Sequence, residues 1–107
     1  MITLLEAYKI VKPHISNDFK IEACCEFEDY YAFPTKWRDR RHDYRAGGGP
    51  LGIQKSTGKL CLIGVDTSKL CYCSWDYETQ KMISDDIGKA TREYSEEELN
   101  ALVSSPK

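Results

Sequence analysis

Near the N-terminus, Leu4, Tyr8, Val11 and Ile15 recur at intervals of four, three and four, which places them on one helical face. Thr3 followed by Glu6 forms a T-x-x-E capping box, in which each side chain satisfies an orphan backbone donor of the first turn. Pro13 disfavours helical geometry at Lys12 and has no N–H to donate. The pattern therefore predicts a helix over Leu4–Lys12.

The period then changes from helical to alternating. Phe19, Ile21, Ala23, Cys25 and Phe27 alternate with Lys20, Glu22, Cys24 and Glu26, as expected of a half-buried strand with one wet face. Glu28-Asp29 is an acidic break, and Tyr30–Phe33 forms a short aromatic second strand closed by Pro34, so the two read as an antiparallel hairpin. Residues 35–50 lack periodicity and hold Trp37 and Gly47-Gly48-Gly49-Pro50; a loop of that length in a compact domain is often functional. Leu51–Lys55 and Lys59–Val65 flank Ser56-Thr57-Gly58, which fits a hairpin with a glycine bulge. The run Leu60–Val65 predicts a strand covered on both faces.

Beyond Asp66 the pattern weakens. Leu70 and Tyr72 alternate against Cys71, Cys73 and Trp75, which predicts a fifth strand, although Asp66 or Ser68 also suits a helix cap. The remainder of residues 66–94 carries no readable period. Order returns at Ser95 and Glu98, a second capping box, with Glu96 and Glu97 placed favourably for the helix dipole. Leu99, Leu102 and Val103 complete a helix predicted over Glu96–Ser104. The expected architecture is one α+β domain over residues 1–107: an N-terminal helix packed on a four- to five-stranded antiparallel sheet, with a short C-terminal helix.

Composition narrows the class. The chain has 107 residues, 41% of them apolar, enough for one modest core and too many for a disordered segment. A net charge of −2 does not mark a membrane-surface or general nucleic-acid binder. No stretch approaches the roughly 20 apolar residues that span a bilayer, and the N-terminus lacks a basic, apolar, small-residue leader. A soluble cytoplasmic protein is the expectation.

Five cysteines (Cys24, Cys25, Cys61, Cys71 and Cys73) make an odd set with adjacent or one-apart spacing, a poor disulfide framework. Structural zinc sites favour C-x-x-C spacing, whereas these are C-C and C-x-C. Cys24 and Cys25 in a strand point to opposite faces. Cys71 and Cys73 share a face, with Cys61 within reach from a neighbouring strand. Structural free thiols are expected, with no metal and no cofactor.

His14 follows Pro13 and reads as a capping or solvent residue. His42, in Arg40-Arg41-His42-Asp43, sits in the one strongly basic stretch. An imidazole with nearby cations is the minimum for metal-free RNA cleavage, but a second acid or base is required and nothing places His14 beside His42. Segment 36–45 carries Lys36, Arg38, Arg40, Arg41 and Arg45 against Asp39 and Asp43, interleaved with Trp37 and Tyr44. These residue types are enriched at interface hot spots and also suit nucleic-acid stacking. Glu22, Glu26 and Glu28 supply a competing acidic patch, able to steer a basic partner. No nucleophile elbow, P-loop or dinucleotide fingerprint is present, and Gly47-Gly48-Gly49-Pro50 lacks the Lys-Ser/Thr of a phosphate cradle.

Several stretches resemble small bacterial immunity proteins of polymorphic-toxin systems. Glu6-Ala7-Tyr8-Lys9-Ile10-Val11 is similar to their E-A-x-x-I/V helix core, and Asp29-Tyr30-Tyr31-Ala32-Phe33 to their D-x-Y/F-x-F hairpin. Gly48-Gly49-Pro50-Leu51 corresponds to their G-G-x-P, and Ile53-Gln54-Lys55-Ser56-Thr57-Gly58 is similar to V-D-K-x-T-G with Gln54 in place of Asp. The likeness covers roughly the first two-thirds of the chain. It implies a non-enzymatic protein that neutralises a cognate toxin by binding it. The partner-contacting residues expected are Trp37, Arg38, Arg40, Arg41 and Tyr44, with Glu22, Glu26 and Glu28 as the alternative patch. A metal-independent ribonuclease or nucleic-acid binder using 36–45 is the second reading, although nucleic acid is not the expected partner, and a homodimer through a sheet edge is the third.

Overall fold

The structure, a computed structural model, describes residues 1–37, 51–66, 68 and 70–104. Helix α1 spans Leu4–Val11. Its capping box is complete: the Glu6 N–H donates to Thr3 Oγ1 at 3.2 Å and the Thr3 N–H donates to Glu6 Oε1 at 3.0 Å. A 3-10 turn at Lys12–His14 then accommodates Pro13 in its first positions, where a missing N–H costs nothing.

The alternating stretch 19–27 is two strands, β1 (Phe19–Ile21) and β2 (Ala23–Glu26). They part at Glu22, whose N–H donates to the Pro34 carbonyl at 2.9 Å. Strands β3 (Tyr30–Phe33) and β4 (Thr35–Trp37) follow on either side of Pro34. β1 pairs with β4 as a separate two-stranded ribbon, Lys20 opposite Lys36, while β2 pairs with β3 in the main sheet. Those facing lysines would repel; Glu96 receives both, at 3.2 and 3.3 Å, and ties the ribbon to the start of the C-terminal helix.

Strands β5 (Leu51–Gln54), β6 (Leu60–Asp66), β7 (Cys71–Asp76) and β8 (Met82–Ser84) form an antiparallel meander. Gly58, at φ +73°, makes the turn between β5 and β6 in the left-handed region that glycine enters without penalty. Strand β9 (Arg92–Ser95) pairs with β2 and leads into α2 (Glu96–Ser104), capped by Ser95 and Glu98 as expected. Among the described residues the main sheet has seven strands in the order β8-β7-β6-β5-β3-β2-β9, all antiparallel. The α+β class is the one expected. The sheet is wider because β8 and β9, three and four residues long, are too short to display alternation.

The sheet is also curled. β3, β5 and β6 lie between β2 and β7, so a flat sheet would hold those two about 19 Å apart. Yet the rings of Phe27, just after β2, and Tyr72, on β7, are edge to face at 5.1 Å. Ser74 Oγ likewise donates to Tyr30 Oη at 3.0 Å, across β5 and β6. Close curvature needs a small residue at the inner bend. Gly52 supplies it: a Cβ there would lie 2.6 Å from Ile63 Cγ1 and 2.9 Å from the Tyr31 carbonyl oxygen.

Two cores result. On the convex side Ala7 and Val11 of α1 and Leu99 of α2 pack on Cys24, Tyr31, Phe33 and Ile53. On the concave side Phe27, Tyr30, Ala32, Cys61, Ile63 and Ile87 fill the curl. The expected wet face of β2 is therefore covered: Cys24 is buried beneath the helices, and Cys25 lies on the concave side. The run Leu60–Val65 is covered on both faces only at its start, because Val65 is exposed.

Candidate functional site

The tip of the β2–β3 hairpin is built around Asp29. Its carboxylate accepts from the Ser56 N–H and the Ser56 hydroxyl, each at 3.0 Å, and from Gln54 Nε2 at 3.3 Å. Its carbonyl accepts from the Lys55 N–H at 2.7 Å. Gln54 Oε1 in turn accepts from the Thr57 hydroxyl at 3.1 Å. Two sequence stretches that are 25 residues apart are thus one polar joint, holding the Q-K-S-T-G turn against the aromatic hairpin. Gln54, the departure from the V-D-K-x-T-G pattern, takes part as a donor to Asp29, which a carboxylate in its place would not do.

Behind this joint, on the convex side, lies a second polar group. Lys55 is buried, its Nζ 2.6 Å from Glu26 Oε2 and 4.7 Å from the centroid of Tyr31. Tyr94 donates its hydroxyl to Glu26 Oε1 at 3.0 Å, and Arg92 stacks over the Tyr94 ring. The Lys55 ammonium, against an opposing effect of burial, holds Glu26 below the usual carboxylate range. Burial raises Tyr31 and, with Glu26 adding to it, Tyr94. Every oxygen of Glu26 is committed to folding contacts, so this is a structural anchor.

In front of the joint, at the mouth of the curl, an open groove of about 550 Å³ is lined by Glu28, Asp29, Tyr30 and Gln54 from the hairpin side, and by Ile83, Ser84 and Asp86–Gly88 from the far edge. Among its described lining residues three are carboxylates and none is a cation, while Ile83 and Ile87 give an apolar component. Asp86 Oδ1 accepts from the Gly88 N–H at 2.9 Å, and Gly88 takes φ +82°, so an Asp-x-Gly turn shapes this wall. The groove suits a cationic side chain attached to an apolar one.

The acidic residues singled out in the sequence do not act as one patch. Glu22 is exposed at the break between β1 and β2, Glu26 is committed to Lys55 and Tyr94, and Glu28 alone borders the groove. Arg38, Arg40, Arg41, Tyr44 and His42, together with Gly47–Pro50, lie outside the described residues, as does the side chain of Trp37. Lys36, at the start of that basic segment, is engaged with Glu96. His14 packs edge-on against Tyr77 with ring centroids 5.4 Å apart.

All five cysteines are free thiols. The three-thiol grouping considered for Cys61, Cys71 and Cys73 is not formed: Cys61 faces the concave core, whereas strand alternation sends Cys71 and Cys73 to the convex side. No group of three or more His, Cys, Asp or Glu suited to a metal is found among the described residues. Burial pushes the Cys24 thiol up to about 12 and Cys61 up to about 11.

Sequence reasoning missed Asp29, Ile83, Asp86 and Ile87. Asp29 stands in the sequence as part of the acidic break and of the hairpin motif, with nothing local to mark it as a groove residue, and the Asp86-Ile87-Gly88 turn signal is the one local clue to the far wall. Among the described residues no helix is long and apolar enough to cross a membrane. No family model matches this chain, no curated protein is similar to it, and no solved structure matches its fold.

Proposed function

We propose that this protein is an immunity-type inhibitor that binds a cognate bacterial toxin or effector and neutralises it by protein–protein contact. The observation that carries the reading is the groove at the mouth of the curl. Its near wall is made by Asp29, Tyr30 and Gln54, the residues of the family-like hairpin and turn, held rigid by the Asp29 joint. A preformed concavity with carboxylates and isoleucines offers a basic, partly apolar protein segment a site that requires little ordering on binding.

The test begins with the product of the adjacent gene. Produced alone in a bacterial host it should arrest growth; produced together with this chain it should not, and the pair should migrate as one complex. Reversing charge at the groove with Glu28→Lys and Asp86→Lys should weaken the complex by about tenfold or more, whereas Glu22→Lys should leave it intact. Growth arrest that co-production does not relieve defeats the reading. Nucleic-acid affinity that falls steeply with salt would instead support the basic segment as the functional surface.

A further inference from the structure

Cys71 and Cys73 stand two apart on β7, so their side chains share one side of the sheet. Both thiols point at a single acceptor: Cys71 Sγ lies 3.2 Å and Cys73 Sγ 3.3 Å from the Asp85 carbonyl oxygen. The two sulfurs can therefore be no further apart than those two distances laid end to end. Cys71 is half-buried and reachable from solvent, while Cys73 is 1% exposed. The arrangement is a pair of soft donors, one inside and one at the surface, drawn together over one hard oxygen.

From this geometry we infer that Cys71 and Cys73 form a two-thiolate clasp for a soft monovalent d10 metal ion, with Cu(I) as the ion that fits it. Thiolate ligands select soft ions, and two thiolates satisfy Cu(I), which accepts low coordination numbers. Zn2+ asks for four ligands near 2.3 Å for sulfur, and the described residues here offer two sulfurs and a carbonyl. On binding, each S–H releases its proton to solvent and two S–Cu bonds form. Copper remains Cu(I), so no electron is transferred and no oxidant is required. The two S–H donations to Asp85 are lost in the exchange, and the carbonyl is left facing the ion. Cys24 and Cys61 do not compete: both are 0% exposed, and neither is paired on one acceptor with a solvent-reachable thiol as Cys73 is with Cys71.

The experiment is an anaerobic titration of the reduced full chain with Cu(I) against a colorimetric Cu(I) chelator, with thiol alkylation and proton release followed in parallel. One Cu(I) per chain, about two protons released per ion, and protection of Cys71 from alkylation are expected. Cys71→Ser changes a half-buried position and should abolish retention of the ion, and Cys25→Ser, on another strand, should not. Thermal melts of both variants establish that each is folded, and Cys71→Ala serves if the serine variant is not. Retention of Cu(I) by a folded Cys71→Ser or Cys71→Ala chain overturns the assignment. So does equal retention of Zn2+, or a native chain that gives up all its Cu(I) to the chelator.

Discussion

The two faces of the curled sheet are covered by different means. The convex face is roofed by α1 and α2, whose apolar residues Ala7, Val11 and Leu99 sit on Phe33, Tyr31 and Ile53. Among the described residues the concave face receives no helix. It is closed by its own curvature, which brings Phe27 to Tyr72 and Tyr30 to Ser74, and by Ile87 from the segment returning toward β9. A helical roof is a second layer with its own period and caps; a curl is a property of the sheet, enabled by the close approach at Gly52.

Emptying each side in turn separates the two kinds of cover. Phe33, under α1 and 0% exposed, has neighbours fixed by helix and strand, so Phe33→Ala should cost about 3–5 kcal/mol. Ile87, at 8% exposure, lies outside helix and strand and borders the open groove, so its truncation widens an existing opening instead of leaving a closed cavity, although its N–H is held by the Tyr72 carbonyl at 3.0 Å. Ile87→Ala should cost about 2 kcal/mol, at the low end for its type. Urea unfolding of both variants measures the difference. Equal costs would mean that the concave cover is as rigid as the helical one.

The polar anchors repeat the contrast at smaller magnitude. On the convex side Lys55→Met keeps the aliphatic stem and removes the charge, leaving Glu26 with a side chain only 22% exposed and the Tyr94 hydroxyl as partner. Stranding a carboxylate in this way should cost about 2–4 kcal/mol, somewhat below a fully buried pair because Glu26 retains some solvent. Adding Glu26→Gln to Lys55→Met should restore most of the loss, since the amide still accepts from Tyr94. A double variant no better than the single one would show that the loss comes from the ammonium's own contact with the Tyr31 ring and not from a stranded Glu26.

Legibility followed the same division. Both helices could be read because Thr3/Glu6 and Ser95/Glu98 mark their starts and the apolar spacing marks their buried faces. The hairpins could be read because Gly58 and the Glu28-Asp29 break punctuate alternating runs. What could not be read was set by non-local pairing. Nothing local shows that β1 leaves the main sheet at Glu22, since the alternation continues unbroken through the point where its partner changes from β4 to β3 and β9. Glu26 looked wet because its partner Lys55 is 29 residues away in the chain. The groove was invisible for the same reason: its two walls come from hairpin residues 28–30 and from 83–88, which meet only because the sheet curls. Asp29, Tyr30 and Gln54 were in view as motif positions, but only the fold shows them sharing a concave wall.

The concave anchor gives the smallest effect and the one tied to pH. Asp76, 7% exposed, accepts from the Thr79 N–H at 2.8 Å and from Lys59 Nζ at 3.0 Å. Those contacts, the Thr79 backbone donor first, hold its carboxyl down at about 2, against an ordinary 3.8. The folded chain therefore binds this proton less readily than the unfolded chain does. The stabilisation is complete above the ordinary value and drains away as pH falls through it toward the folded one. Glu26 on the convex side is also held low, so acid weakens both anchors together. Asp76→Asn should separate them. Urea midpoints taken from about pH 5 down to about pH 2 should fall less steeply than in the native chain, with the remaining slope belonging to Glu26 and the other depressed carboxylates. An unchanged slope would mean that Asp76 is no anchor for the concave side, and that curvature and apolar filling hold it alone.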